Sequence, residues 1–251
     1  MTTDHVLTAR EGAVSIIRMN RPDKKNAITR AMYGAMTEAL GRGEADDTVR
    51  CHVLFGVPGS FSSGNDMQDF LSFAMSGATG LPEVIGFLEA IAGLKKPIVS
   101  GVDGLAIGIG MTVNLHCDLT VATARSHFRT PFVDLALVPE AASSLLVPAI
   151  AGHQRAFAML VLGEGFSASQ AKDAGLIWDI VEEDELEPKT LELAHRLAAR
   201  APEAVRISKS LMKHQPEAVL ERIYAEAKLF GERLQSSEAR DAFLAFMARK
   251  K

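Results

Sequence analysis

The chain has 251 residues, of which 47% are hydrophobic and 23% charged, and its formal net charge is −4 at pH 7. Its lysines occur singly or in short pairs, and without a long basic tract the chain is not expected to bind nucleic acid as its primary role. No apolar stretch reaches the roughly 18 to 20 residues of a membrane span, and the N-terminus lacks a signal-peptide core, so we expect a cytoplasmic protein with no membrane partner.

The two cysteines, Cys51 and Cys117, each lie in or beside an apolar run. This setting favours buried, reduced thiols over a disulfide or a pair of metal ligands. The sequence therefore predicts no disulfide and no metal site.

The first part of the chain predicts a hairpin, a helix and a buried strand. Residues 6–10 and 14–19 are apolar runs separated by a glycine-containing turn, which is typical of a hairpin. Thr29 is a suitable N-cap for a helix that ends near Arg42. Residues 51–56 then predict a buried strand.

The middle of the chain alternates strands and helices. We interpret residues 67–80 as a mobile flap that lines a pocket. A helix is predicted over residues 82–93, and strands are predicted over residues 98–102 and 119–122. This alternation with short links favours an α/β core with right-handed crossovers.

After about residue 185 the chain becomes rich in Ala, Glu, Arg and Leu, which predicts a helical region over residues 186–251 behind a core of residues 1–185. Leu220, Ile223 and Phe230 are spaced for one apolar face. That face must pack on the core of its own chain, on another subunit, or on both.

Two glycine-bearing segments, residues 61–66 and 104–110, each follow a predicted strand and open a predicted helix. The first N–H groups of a helix have no intrahelical partner, so each segment can direct a donor at a developing oxyanion. Glu140 follows about 30 residues later beside another predicted helix start. For each feature alone there is a plainer interpretation, namely close helix-on-strand packing for the glycines and a surface acid for Glu140.

Other enzyme signatures are absent. There is no Gly-x-Ser-x-Gly, His-Glu-x-x-His, Cys-x-x-Cys or Walker A pattern. Gly108-Ile109-Gly110 begins a dinucleotide fingerprint, but Val113 occupies the place of its third glycine, which disfavours a nicotinamide site. His116 and His127 are interpreted as core or surface groups rather than ligands.

Several motifs in their order resemble the crotonase superfamily of enoyl-CoA hydratases and isomerases. They are Asn20-Arg21-Pro22 with Lys25-Asn26-Ala27, then Phe61-Ser62-Ser63-Gly64-Asn65-Asp66, then Pro97-Ile98-Val99 through Gly104-x-Ala106-x-Gly108 to Cys117-Asp118, and Ala171-x-x-Ala174-Gly175-Leu176 followed by Val181. The resemblance implies an α/β, crotonase-like fold of stacked ββα units. It also implies a C-terminal helical region for trimerisation, in a homotrimer or a dimer of trimers.

In that family two backbone N–H groups hold the thioester oxygen, and they correspond here to Asn65 and Ile109. The second position is commonly glycine, so isoleucine requires an ordinary negative φ there. Family hydratases use two glutamates to activate water, and this chain has Thr112 and Phe132 at the matching positions. A single glutamate at the position of Glu140 resembles the Δ3,Δ2-enoyl-CoA isomerase branch.

The resemblance also implies an acyl-CoA substrate, with coenzyme A as part of the substrate and no separate cofactor. Lys24 and Lys25 match the region at the pocket mouth, where they are candidates to bind the phosphates, although a solvated lysine pair is an equally simple interpretation. Arg249 and Lys250 are weaker candidates. The candidate substrate-binding residues are Lys24, Lys25, Ala27, Ser63, Gly64, Asp66, Met67, Gly108, Phe132 and Leu135.

The favoured activity is double-bond isomerisation with Glu140 as the base and with Phe132 and Leu135 as candidate apolar wall beside it. The alternatives are hydration or thioester hydrolysis through the same oxyanion hole. A non-catalytic protein that binds acyl-CoA or RNA is the alternative from another class.

Overall fold

The computed structural model describes residues 3–69, 82–213 and 216–248. Its strands are β1 Val6–Glu11, β2 Val14–Met19, β3 Cys51–Phe55, β4 Ser60–Ser62, β5 Ile98–Val102, β6 Leu105–Ile107, β7 Leu119–Thr123, β8 His127–Arg129, β9 Phe166–Ser167 and β10 Asp179–Val181. Its helices are α1 Arg30–Ala45, α2 Pro82–Ala92, α3 Ile109–Thr112, α4 Ser143–Ala151, α5 His153–Leu160, α6 Ala168–Asp173, α7 Leu186–Ala198, α8 Pro202–Met212, α9 Pro216–Leu234 and α10 Ser237–Ala248.

Two sheets organise the chain. The larger sheet has the order β1-β2-β3-β5-β7-β10, in which β1 and β2 form an antiparallel hairpin and the other neighbours are parallel. The smaller sheet has the order β4-β6-β8-β9, with β4, β6 and β8 parallel. The predicted alternation of strands and helices is therefore confirmed as an α/β fold.

The central strands β3 and β5 of the larger sheet are buried along their whole length and covered on both faces, which explains their nearly continuous apolar character. Val53 and Val99 belong to a small cluster with Ala194 of α7. Leu54 and Ile98 belong to the large main core together with α1 and α2. The two cysteines are free thiols, as predicted, with Cys51 buried and Cys117 half-buried.

Helix α1 begins where the sequence predicts. The Thr29 side chain accepts a hydrogen bond from the Met32 N–H and caps the helix, which continues three residues beyond the predicted end at Arg42. The second glycine segment differs from expectation, because residues 105–107 form β6 before the helix starts. Leu105 and Ala106 pair with both β4 and β8, so tertiary pairing makes a strand of a stretch too short to predict as one.

The C-terminal helices pack on the core of their own chain. Ile223 and Phe230 of α9 are buried and join the main core, and Leu220 packs against it. One of the predicted alternatives, burial on the same chain, is thus observed for this face. Within the described part of the chain, no helix is both long enough and apolar enough to cross a bilayer.

Candidate active site

The first glycine segment begins within β4 and presents an unpaired backbone N–H. The Ile28 N–H donates to the Gly64 carbonyl at 2.8 Å, and the Asp66 N–H donates to the Ile28 carbonyl at 2.9 Å. These two hydrogen bonds form a parallel β-bridge between Ile28 and Asn65, and they leave the N–H of Asn65 without a partner among the described residues. Gly64 has φ +98°, a value that L residues rarely adopt.

The second glycine segment ends β6 and opens α3. Gly108 has φ +56° and is the N-cap, and its carbonyl accepts the N–H groups of Met111 and Thr112 at 2.9 and 3.0 Å. Ile109 is the first helical residue, so its N–H has no intrahelical partner, and none is found elsewhere in the described chain. Ile109 has an ordinary negative φ, as its side chain requires.

Glycine lets the two segments lie against each other. A Cβ on Gly64 would lie 3.1 Å from the Ile107 carbonyl oxygen, and one on Gly110 would lie 2.7 Å from the Ser62 carbonyl oxygen. Gly110 therefore cannot carry a side chain without moving β4. The close approach places the two segments that carry the unpaired N–H groups of Asn65 and Ile109 against each other.

Glu140 lies beside this region and is 8% exposed. The Thr112 hydroxyl donates to Glu140 Oε1 at 2.5 Å, and Thr112 ends the helical turn that Ile109 begins. Burial raises the pKa of Glu140 to about 8; the hydrogen bond from Thr112 opposes that rise, and the negative charge of Glu226 adds to it. No cation pairs with Glu140 within the described residues, so the carboxylate can exchange a proton near neutral pH.

Tyr33 is a site residue that the sequence interpretation missed. Its hydroxyl donates to Asn65 Oδ1 at 2.5 Å, and its side chain is only 1% exposed. Burial and the nearby negative charge of Glu140 raise its pKa well above the ordinary value, so it stays a neutral donor. The sequence signal that could have identified Tyr33 was its position on the apolar face of α1, which also carries Met36 and Leu40.

A small, partly open cleft lies beside Tyr33 and Asn65, and Glu140 is not among its lining residues. It is lined by Ile28, Arg30, Tyr33, Asn65, Asp66, Asp69 and Val84. The Thr112 hydroxyl thus links the base candidate Glu140 to the helix that the second glycine segment opens, and the Tyr33 hydroxyl links α1 to Asn65 of the first segment.

Asp66 forms an ion pair with Arg21 and is not a free carboxylic acid. Arg21 Nη1 lies 2.5 Å from Asp66 Oδ2 and 2.9 Å from the Ala27 carbonyl oxygen. Burial acts to raise the pKa of Asp66, but the hydrogen bonds and positive charge of Arg21 hold it below the ordinary value. The Arg21–Asp66 pair fixes Ala27 beside the first glycine segment.

Lys24 and Lys25 are exposed and form no ion pair with the described residues. Their backbone is held firmly, because the Lys25 carbonyl accepts the Ser63 N–H at 2.9 Å and the Ser60 hydroxyl at 2.8 Å. The Ser63 hydroxyl donates to the Lys24 carbonyl at 3.2 Å. The two ammonium groups therefore lie on a fixed turn next to the first donor segment.

Phe132 and Leu135 belong to the main core, with Phe132 5% exposed and Leu135 half-buried against it. Met67 also packs against this core. The role of Phe132 and Leu135 as a wall beside the base stays a prediction. Arg249, Lys250 and most of the proposed flap, residues 70–80, lie outside the described residues.

Glu140 lies three residues before the start of helix α4, which agrees with the prediction that it lies beside a helix start. Helix α4 begins at Ser143, whose N–H donates to the Glu140 carbonyl at 3.0 Å. Ala141 and Ala142 both have φ +57°, which turns the chain away from helical geometry before α4. His116 and His127 contact no proposed reacting group, and His116 Nε2 donates to the Ala141 carbonyl at 2.9 Å.

Residues 9–251 match the family model described as enoyl-CoA hydratase/isomerase. A curated relative, enoyl-CoA delta isomerase 2 of Rattus norvegicus, is 34% identical over 98% of this chain, and the chain spans 64% of that relative's length. The short-chain-enoyl-CoA hydratase of Clostridium acetobutylicum is 27% identical over all of this chain and 97% of its own.

A solved structure, that of OdaA from Pseudomonas aeruginosa, superposes with a TM-score of 0.92 and is 38% identical, covering 98% of this chain and 99% of the other. The similarity includes both sheets and the C-terminal helices, because it extends over nearly the whole of each chain. The family match and the crotonase fold together show that this chain belongs to the enoyl-CoA hydratase/isomerase family.

Proposed function

We propose that the protein is a Δ3,Δ2-enoyl-CoA isomerase with Glu140 as its acid–base residue. The observation that carries this proposal is a buried carboxylate without a cationic partner, hydrogen-bonded to Thr112 in the same helical turn as the Ile109 N–H. A base beside two unpaired backbone donors is the minimum machinery for enolate chemistry.

The reaction needs only a proton shift within the substrate. Glu140 removes a proton from C2 of a 3-enoyl thioester. The electrons of that C–H bond form a dienolate that extends from C4 to the thioester carbonyl, whose oxygen takes the negative charge. The N–H groups of Asn65 and Ile109 bind the oxyanion. Glu140 then returns the proton to C4, which leaves the double bond between C2 and C3 and consumes no water.

The environment of Glu140 suits proton transfer at carbon. A base is most effective when its pKa lies near the working pH, and burial raises the pKa of Glu140 to about 8. Thr112 occupies Oε1 and leaves Oε2 for the substrate. Both features support a single carboxylate that accepts and returns one proton.

Hydration of 2-enoyl thioesters is the second candidate, because relatives of this chain bear the names of isomerases and of hydratases. Water activation in the family resemblance uses two glutamates. Here the matching positions hold Thr112, whose hydroxyl is bound to Glu140, and Phe132, which has no acid–base group. This arrangement favours isomerisation over hydration or hydrolysis.

A purely binding role is less well supported. A non-catalytic protein has no need of a buried, cation-free carboxylate, which costs folding free energy when it ionises. The net charge of −4 also disfavours RNA as a ligand.

For the substrate carrier we propose coenzyme A, bound by the turn that holds Lys24 and Lys25. Its phosphates need positive charge at the mouth of the site, and these two exposed side chains have no anionic partner among the described residues. The fixed backbone of the turn, which is bonded to Ser60 and Ser63, lowers the entropy lost when the phosphates bind.

We also propose a homotrimer or a dimer of trimers. Helix α9 covers its apolar face on its own core, so other apolar side chains must provide the interface. Trp178 on the edge of the larger sheet is 59% exposed, and Leu162 is 63% exposed. Sedimentation at micromolar concentration tests this, and a monomer would contradict it.

The activity is tested by incubating the protein separately with 3-enoyl-CoA, 2-enoyl-CoA and a saturated acyl-CoA, and identifying products by mass and chromatography. We expect conversion of the 3-enoyl thioester to the 2-enoyl thioester and slow hydration of crotonyl-CoA. Hydration faster than isomerisation would contradict the single-carboxylate mechanism, and free coenzyme A as the main product would identify a thioesterase.

A further inference from the structure

A second buried carboxylate, Glu226, contacts the loop that carries Glu140. It comes from α9, far along the chain, and is 5% exposed. Its Oε2 accepts the Ala142 N–H at 2.7 Å, and its Oε1 accepts the Ser144 N–H at 3.0 Å. One carboxylate thus binds two of the free N–H groups at the start of α4.

The loop needs such support, because its backbone conformation is strained. Ala141 and Ala142 both adopt the left-handed region, which residues other than glycine and asparagine rarely adopt. The Ala141 carbonyl is bound by His116 Nε2, and the Ala142 N–H is bound by Glu226. Residues on both sides of the loop therefore hold it, and Glu226 holds it from the C-terminal helices.

We propose that Glu226 is a positioning residue for Glu140: its carboxylate fixes residues 141–144 through two N–H groups, and its negative charge acts on the Glu140 carboxylate. The inference rests on the proposed role of Glu140 as the base. It gives the C-terminal helical region a part in the reaction, through contacts within one chain.

Several groups face these two carboxylates. Around Glu140 they are the hydroxyl of Thr112, the neutral hydroxyl of Tyr33 and the charge of Glu226. Around the loop, His116 is neutral at physiological pH because burial lowers its pKa to about 4. Arg222 is the cation near Glu226 and donates to the Ser144 hydroxyl at 2.9 Å.

The two hydrogen bonds favour the ionised form of Glu226. Burial raises its pKa, while the bonds from Ser144 and Ala142 and the charge of Arg222 oppose that rise. An ionised Glu226 near Glu140 makes removal of the Glu140 proton harder, and so makes Glu140 a stronger base. Removing this charge must shift the titration of Glu140 toward lower pH.

The test is Glu226→Gln, with Glu221→Gln as the control because Glu221 is an exposed glutamate on the same helix. Gln keeps the shape but loses the charge, and its NH₂ faces one of the two N–H donors. We expect the acid limb of kcat/KM for isomerisation to move about one pH unit lower and kcat at the optimum to fall about tenfold. The control should change neither quantity.

A measurement without substrate separates this inference from the proposed function. Unfolding free energies of the wild type, Glu140→Gln, Glu226→Gln and the double variant are compared from pH 5 to 9. The contribution of Glu140 is the change in unfolding free energy that Glu140→Gln causes, measured once in the wild type and once in the Glu226→Gln background. The pH range over which this contribution changes should lie lower in the Glu226→Gln background. This result is expected even if the substrate is not a 3-enoyl thioester.

Glu226→Asp covers the case in which Glu226→Gln does not fold, because aspartate keeps the charge but shortens the reach. We expect its acid limb to stay within a few tenths of a unit of the wild type while kcat falls. If Glu226→Gln lowers stability and leaves both the acid limb and the titration of Glu140 in place, Glu226 is merely structural and the inference is overturned. An acid limb that moves upward would overturn it as well.

Discussion

Two carboxylates flank the candidate site, and they behave in opposite ways. Asp66 is the last residue of the first glycine segment and Glu140 follows the second by 30 residues, and each is 8% exposed. The pKa of Asp66 is lowered and that of Glu140 is raised to about 8. Glu140 has only a hydroxyl partner, whereas Asp66 pairs with Arg21 at 2.5 Å.

The comparison teaches that surface exposure alone does not identify a base. Burial acts to raise the pKa of both carboxylates, and the partner decides the outcome. A guanidinium favours the anionic form of Asp66, and the same guanidinium holds the loop at Ala27. A hydroxyl leaves Glu140 able to take up and release a proton.

The largest expected effect is on the rate. Glu140→Gln should reduce isomerisation by about 10² to 10⁴-fold, because it removes the acid–base group while keeping an oxygen that can accept the Thr112 hydroxyl. Steady-state and single-turnover rates measure the loss, and binding of a saturated acyl-CoA serves as the folding control. A variant that isomerises at the wild-type rate would place the base elsewhere.

The next effect is on stability and concerns Asp66. Asp66→Asn should lower the unfolding free energy by about 3 kcal/mol, because Arg21 is left as a mostly buried charge without its partner. Asp134→Asn is the control, since Asp134 pairs with Arg129 at 2.8 Å in an exposed position, and it should cost less than about 1 kcal/mol. If denaturant titrations give equal losses of unfolding free energy for Asp66→Asn and Asp134→Asn, the Arg21–Asp66 pair does not behave as a buried pair.

The two carboxylates should also give opposite pH dependences of stability. Above the unfolded-state pKa of Asp66 its pair stabilises the fold, and this contribution is lost as the pH falls through the lower folded-state pKa. Glu140 retains its proton in the folded state up to a pH of about 8, so stability falls as the pH rises from about 4.5 to about 8.

Glu140→Gln removes this second effect. Relative to the wild type it should gain at least about 1.4 kcal/mol between pH 5 and pH 9, the free energy of a one-unit pKa shift. Thermal or urea unfolding at both pH values measures the gain. A constant difference across the range would mean that the wild-type carboxylate ionises in the folded protein without cost.

The smallest expected effect concerns the Lys24 and Lys25 turn. Replacing both with alanine should weaken coenzyme A binding about three- to tenfold at low salt, and less at high salt, because exposed ion contacts are screened. Lys95 and Lys228, which are exposed and distant in sequence, give a charge-matched double-alanine control. Unchanged affinity, measured by calorimetry, would place the phosphate contacts elsewhere.

The sequence was most informative where the signal is local. The Thr29 cap and the hairpin with its glycine turn each depend on residues close in the chain, and both were predicted correctly. Glu140 was identified through its place in a resemblance, and its burial is consistent with that choice. The short strand β6 was missed because three residues carry too little periodicity.

What the tertiary structure alone decided are the contacts that connect distant residues. The Tyr33 bond to Asn65 joins positions 32 apart, the Thr112 bond to Glu140 joins positions 28 apart, and the Glu226 bond to Ala142 joins positions 84 apart. An acid or a tyrosine on an apolar helix face signals a buried partner but does not say which one. The partner depends on how helices pack on the sheets, and a single sequence reports the buried face of each element without its neighbour across the core.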